Sequence, residues 1–234
     1  MATYKTSGIV LGRHNLGEAD RIIVFFTPDR GKLRAVARGV RKPLSRQAGH
    51  VELFCQSNLM LAVGKNLDIV TSARLEHYPQ QLTSDYDRLQ LAFLMTRIVE
   101  RLTSDHNAQP GLYQLLADSL NYLDQAGASQ RLELFFKLQF LVQMGYRPQL
   151  DICSLCGGAL EQAYLSPEHG GAVDSSCAGP EDFRVNANQL GLWRRICDSD
   201  LNALISSDEI LAVETLGVCD TFYAYIFGRS FPAA

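Results

Sequence analysis

The hydrophobic period of this chain changes once, at Pro79, and that change limits the folds open to it. Before Pro79, five segments are rich in β-branched residues or alternate apolar with polar: Thr6 to Leu11, Arg21 to Thr27, Lys32 to Ala37, Val51 to Val63 and Asp68 to Arg74. Breakers separate them at Gly12, Gly17, Pro28 with Gly31, Gly39 with Pro43, and Gly64 with Asn66. Between the second and third segments, Pro28 presets one turn angle and Gly31 is free to take positive φ, which signals a tight hairpin. Five short strands with no intervening helix predict a small antiparallel barrel.

An oligonucleotide-binding barrel is the natural form of such a unit, since it closes its own edges and leaves one strand face for a ligand. The stretch from Arg30 to Arg46 gives that face its chemistry. It carries seven bases, Arg30, Lys32, Arg34, Arg38, Arg41, Lys42 and Arg46, and no acid stands between Asp29 and Glu52. Lys32, Arg34, Val36 and Arg38 alternate with Leu33, Ala35 and Ala37, so the strand sends an aliphatic set inward and cations outward. Cations at alternate strand positions lie roughly 6–7 Å apart, close to the phosphate spacing of an extended nucleic-acid strand. Gly39 and Pro43 stop regular pairing and put Arg41, Lys42 and Arg46 on a loop. The plainer reading is an edge strand kept soluble by its charge.

Beyond Pro79 the period is helical. Leu89, Ala92, Phe93, Thr96 and Val99 follow one stripe, with Asp85 and Asp87 at its start and Arg97 and Arg101 near its end, as a helix dipole favours. Pro110 opens a second helix that Gly127 ends, and Ser129 caps a third that runs to Gly145. From Asn186 the helical pattern resumes, with Trp193 beside Arg194 and Arg195 either as a core anchor or as a surface on which a base stacks.

Cys153 and Cys156 form a C-x2-C knuckle followed by Gly157 and Gly158. The second knuckle is incomplete. Asp174 stands where its first cysteine would be and Cys177 where its second would be. Three thiolates and a carboxylate can hold a tetrahedral zinc ion, which makes Cys153, Cys156, Asp174 and Cys177 the candidate ligands, with His169 behind Asp174. A loop that no longer needs metal is the other reading. Cys55, Cys197 and Cys219 fall outside this spacing and read as small buried residues.

The overall net charge of -3 hides a division: residues 1–80 hold twelve Lys and Arg against six Asp and Glu. The polyanion-facing module is therefore the first one. The longest strongly apolar string is Ile22 to Phe26, far short of a membrane span, and the N-terminus lacks a signal-like apolar core, so the cytoplasm is the expected compartment. There is no Walker loop, G-x-S-x-G, H-E-x-x-H or G-x-G-x-x-G, and the five histidines are dispersed, so no catalytic residues are assigned.

Taken together, Ile9-Val10-Leu11, Leu16-Gly17-Glu18 with Asp20-Arg21, the Thr27 turn ending in Gly31-Lys32, and Ala37-Arg38-Gly39 before a basic loop resemble the N-terminal signature of the bacterial RecO proteins. Gly170-Gly171 ahead of Cys177 is similar to the zinc-binding members, and Tyr225-Ile226-Phe227 followed by Arg229-Ser230 to the family's closing helix. The resemblance implies a non-enzymatic recombination mediator of DNA repair that binds single- and double-stranded DNA and anneals complementary strands. It also implies work with RecR and the tail of the single-strand-binding protein to load RecA, near the nucleoid and away from membranes.

The expected architecture is α+β and multidomain. An oligonucleotide-binding barrel occupies residues 1–79, an all-α helical bundle residues 80–150 with 180–234, and a zinc-ribbon-like insertion residues 151–179. Arg30, Lys32, Arg34, Arg38, Arg41, Lys42 and Arg46 are the expected DNA contacts, with Arg13 and Arg21 secondary. The alternative is a zinc-stabilised adaptor that binds protein or RNA and does not anneal DNA.

Overall fold

The structure is a computed structural model that describes residues 2–201 and 209–228. Two compact units divide the chain, Met1–Gly127 and Ala128–Ala234.

In the first unit, five strands close into a barrel in the order β1-β2-β3-β5-β4. They are β1 (Thr3–Leu16), β2 (Asp20–Thr27), β3 (Gly31–Ala37), β4 (Gln56–Ala62) and β5 (Asp68–His77). The first three form an antiparallel meander, and β3 meets β5 in parallel through Ala35↔Asp68 and Val36↔Ile69. That closure is the oligonucleotide-binding topology expected from the strand pattern. Inward positions fill the barrel with Val10, Ile23, Phe25, Leu33, Ala35, Leu59, Leu61 and Val70.

One predicted strand is shorter than its composition indicates. Val51 to Cys55 does not join β4, because Ala48–Val51 winds into a 3₁₀ turn and Phe54 takes a left-handed conformation at φ 66. A bulky residue tolerates that region only when its surroundings insist. Here Phe54 N donates to Val10 O and Val10 N to Cys55 O, and the Phe54 ring packs edge-on against Phe93.

Two helices belong to the same unit, α1 (Tyr86–Leu102) and α2 (Pro110–Ala126). Asp85 caps α1 by accepting from Arg88 N, Pro110 opens α2, and Gly127 closes it with positive φ. Tyr113 of α2 reaches Phe26, an outward residue of β2, so the helices cover part of the barrel's outer surface.

The second unit is built on α3 (Gln130–Gln143), buried on nearly every side and packed by α4 (Ala187–Asp198) and α5 (Glu209–Phe227). Ser129 caps α3, and Asn186 with Gln189 forms a capping box at α4. Trp193 is fully buried and packs against Phe222, which makes it a core anchor. A three-stranded sheet in the order β7-β6-β8 carries the cysteine element, with β6 at Ala163–Ser166, β7 at Gly171–Asp174 and β8 at Phe183–Arg184. Arg229 and Ser230 lie outside the described residues.

By length and composition α5 could cross a membrane, although Glu214 and Asp220 break its apolar string into short pieces. Its contacts are those of a bundle helix. Tyr223 Oη donates to Lys137 O, Phe227 packs on Phe140, and Asp220 pairs with Lys137.

Lys137 is the costliest group in this core. Its ammonium is almost inaccessible and lies 2.5 Å from Glu133 and 2.6 Å from Asp220. Burial alone lowers its pKa, but the two carboxylates overturn that and hold it above the ordinary lysine value. A raised lysine stabilises the fold fully below its ordinary value, neutral pH included, and loses that contribution as pH rises from there through the folded value. Lys137→Ala should cost about 2–3 kcal/mol in denaturant unfolding at neutral pH, less than for a fully enclosed pair because Asp220 keeps access to water.

Candidate nucleic-acid interface and cysteine cluster

The nine basic residues expected to meet DNA differ in what surrounds them. They fall into three groups with two intermediate cases, each decided by its neighbours.

Lys32 points outward from β3, as the alternation requires, but outward is not toward water. Its side chain is only 8% exposed, with Nζ donating to Thr103 O at 2.7 Å and to Glu100 O, and pairing with Asp105 at 3.3 Å. These are carbonyls at the C-terminal end of α1, where a helix offers unpaired acceptors and negative partial charge. The segment after α1 also bridges Asp105 to Lys32 and lays the Asn107 carbonyl against Gly31, leaving no room for a Cβ there. Lys32 is thus a structural cap, not an available phosphate contact.

Arg13 and Arg21 form the second group. Both bind Glu52, Arg21 at 3.3 Å, so one carboxylate engages two guanidinium groups. Arg30 and Arg34 are intermediate cases, each with about half of its side chain exposed. Arg30 stacks over the Tyr4 ring at 3.9 Å and approaches Asp29, while Arg34 lies 4.0 Å from Asp105.

The third group is the loop after β3. Arg38, Arg41, Lys42 and Arg46 are all exposed, and among the described residues none of them has an acidic partner. The loop has a defined shape. Gly39 N donates to Asp20 Oδ1, while Arg41 donates from its backbone to Ala19 O and from Nη1 to Gly17 O. These bonds fasten the loop to the β1–β2 turn. Lys42 N then reaches Gly39 O, and Ser45 N reaches Lys42 O, forming two consecutive turns. In the second, Pro43 occupies the position that favours proline and Leu44 stands at the apex, 95% exposed.

Reading runs of charge overlooks Lys65, which lies alone and exposed between β4 and β5. That connection is one of the loops by which barrels of this topology approach oligonucleotides. Its only sequence signal was a single lysine in a Gly-Lys-Asn turn.

In the second unit, the sulfurs of Cys153, Cys156 and Cys177 lie within 4.8 Å of one another. The first knuckle is closed by Cys153 N to Gly158 O and Gly157 N to Cys153 O, with Gly157 at φ 75. Hydrogen bonds from the Cys156 and Asp174 backbones lower the Cys153 pKa to about 6. Three soft sulfur donors suit a zinc ion.

Asp174 is not the fourth member of this cluster, and neither is His169. The Asp174 carboxylate accepts from the Glu161, Gln162 and Ser176 amides and from Ser176 Oγ, which hold its pKa well below the usual carboxylate range. It closes the loop by hydrogen bonding where a cysteine would close it through metal. An open cleft of about 910 Å³ lies beside the knuckle, bordered by Gly157, Glu161, Arg184, Asn186 and Arg194.

Residues 1–79 match the family model described as Recombination protein O N terminal, and residues 83–233 match the one described as Recombination protein O C terminal. The chain belongs to the RecO family. A DNA repair protein RecO from Roseiflexus sp. (strain RS-1) is 42% identical over 180 residues, which is 75% of this chain and 62% of that protein's length. A DNA repair protein RecO from Dehalococcoides mccartyi (strain ATCC BAA-2266 / KCTC 15142 / 195) is 31% identical over 201 residues, 85% of this chain and 79% of the relative. One from Bifidobacterium longum (strain DJO10A) is 36% identical over 176 residues. This RecO-family chain therefore pairs an oligonucleotide-binding-type barrel with a helical unit and a three-cysteine cluster.

The role of Lys32 is testable through stability. Lys32→Ala should lower the unfolding free energy by about 2–3 kcal/mol, since charge-assisted bonds to helix-end carbonyls are lost from a dry site. Amide exchange in the last turn of α1 should accelerate in the same variant.

Proposed function

We propose that this protein is a recombination mediator of DNA repair that binds single- and double-stranded DNA through the barrel module, residues 1–79, and promotes annealing of complementary strands. The observation that carries this reading is the loop Arg38–Arg46. Four exposed cations, free of acidic partners, are fastened to the turn of an oligonucleotide-binding-type barrel. Arg34 on β3, half exposed, precedes the loop in the chain, while Lys32 is committed to carbonyls at the end of α1.

Annealing in this reading runs on binding energy. Each arginine or lysine that neutralises a phosphate releases condensed counterions, and two strands held on one cationic surface repel each other less. Pairing then follows from proximity, with no nucleotide hydrolysed. Recruitment of RecR and the single-strand-binding protein, with loading of RecA, is the function this surface would serve in the cytoplasm.

We also infer that Cys153, Cys156 and Cys177 would hold a structural zinc ion, the Asp174 carboxylate being engaged by amides instead. A second reading, an adaptor for a protein or RNA partner, draws on the exposed Ile152, Leu155 and Phe183 of the cysteine element.

Fluorescence anisotropy with a labelled oligonucleotide distinguishes the two. If the loop and Arg34 make three to five phosphate contacts, affinity for single-stranded DNA should fall with a log–log salt slope of about −2 to −3.5. Replacing Arg38, Lys42 and Arg46 together by alanine should flatten that slope by about 2, whatever the base sequence. An unchanged slope would exclude this loop. For the metal, elemental analysis should give one zinc per chain, lost in Cys153→Ser. Asp174→Cys should tighten zinc binding against a chromophoric chelator, because it supplies a fourth thiolate.

A further inference from the structure

Leu44 is the most exposed large apolar side chain among the described residues, at 95%, against 71% for the next, Tyr86. A solitary exposed leucine needs no explanation on an ordinary surface. This one is placed unlike the others. It stands at the apex of a turn preset by Pro43 and closed by Ser45 N to Lys42 O, and that turn follows directly on the Gly39–Arg41 segment, which Asp20, Ala19 and Gly17 hold to the barrel. Arg41 and Lys42 precede it and Arg46 follows it, all exposed. A loop anchored at its base therefore projects one aliphatic group between cations.

We propose that Leu44 is a wedge that enters a base step of duplex DNA, partly unstacking it, while Arg41, Lys42 and Arg46 hold the phosphates on either side. The proposal rests on the DNA-binding reading above and adds the element of DNA that the loop engages. Aliphatic wedges between base steps are a known device of proteins that bend or open duplexes, at the cost of unstacking the step. Burying the leucine side chain offsets part of that cost, and the phosphate contacts supply the rest. A leucine offers no donor or acceptor, so it cannot read a base edge; it senses only how readily a step opens.

A lipid surface is the competing partner for an apolar tip among cations. The geometry disfavours it. Stable membrane attachment needs a larger apolar area than one leucine and its neighbouring proline, and fluid lipid gains nothing from a turn braced by backbone hydrogen bonds. An ordered base stack does.

The test uses the full chain and a duplex carrying 2-aminopurine, whose fluorescence rises when it is unstacked, with anisotropy of an end label reporting binding on the same samples. The wild-type protein should saturate the duplex and raise 2-aminopurine emission about twofold or more. Leu44→Ser, at an exposed position that does not threaten folding, should still bind single-stranded DNA within about threefold of wild type and with the same salt slope, but lose the emission rise. Leu44→Phe should retain it. Saturated binding with no emission rise, or an equal rise with Leu44→Ser, would overturn the wedge and leave the DNA-binding reading standing. Absence of binding to any oligonucleotide would overturn both. Co-sedimentation of the protein with phosphatidylserine vesicles that is lost in Leu44→Ser, together with no emission rise in the wild type, would replace the wedge with a lipid contact.

Discussion

A lysine ammonium seated on the last carbonyls of a helix organises the first unit of this protein. Lys32 joins β3 to the end of α1, through Glu100 O and Thr103 O, and draws Asp105 against the same strand. The contact determines what happens to the barrel's outer surface. Where β3 begins, that surface is covered by the segment after α1. Where β3 ends, the chain leaves the barrel as an open cationic loop. One row of alternating residues thus passes from structural to solvent-facing within a few positions. The free energy of charge-assisted bonds in a dry setting is large enough to keep it so.

That passage also marks how far the sequence could be read. Alternation identified Leu33, Ala35 and Ala37 as interior, and all three are buried in the barrel. It placed Lys32 and Arg34 on the opposite face, and they are on it. The period of a strand says which side a residue takes, not what covers that side. Only the return of the chain after α1 separates the two, through contacts some seventy residues apart. The helix ends were legible for the converse reason. Asp85, Pro110, Gly127 and Ser129 act on their own neighbours, so local chemistry was enough to find them.

The cysteine element shows the same limit from another direction. Spacing alone put Asp174 in the place of a missing thiolate, and the backbone does bring it there: its amide donates to Cys153 Sγ at 3.4 Å. Its carboxylate nonetheless turns away, because three loop amides and a serine offer it more hydrogen bonds than a position beside three sulfurs would. Sequence register fixes where a residue's backbone lies; competition among nearby donors fixes what its side chain does. Cys153, Cys156 and Cys177 converge, with the Asp174 amide turned toward the Cys153 sulfur.

The charge of the barrel module follows from how its acids are used. Asp29 accepts from Thr6, Asp68 accepts from Tyr4 and from Gly64 N, Glu76 accepts from Asn58, and Glu52 holds Arg13 and Arg21. Asp20, which reaches the basic loop, accepts from the backbone of Gly39, not from any of its cations. It therefore fixes the loop's course without neutralising its charge. A salt bridge in the same place would have held the loop equally well and discharged it. Backbone anchoring by a carboxylate, with arginines and lysines left facing water, is what allows a chain of net charge -3 to present a local surface suited to a polyanion.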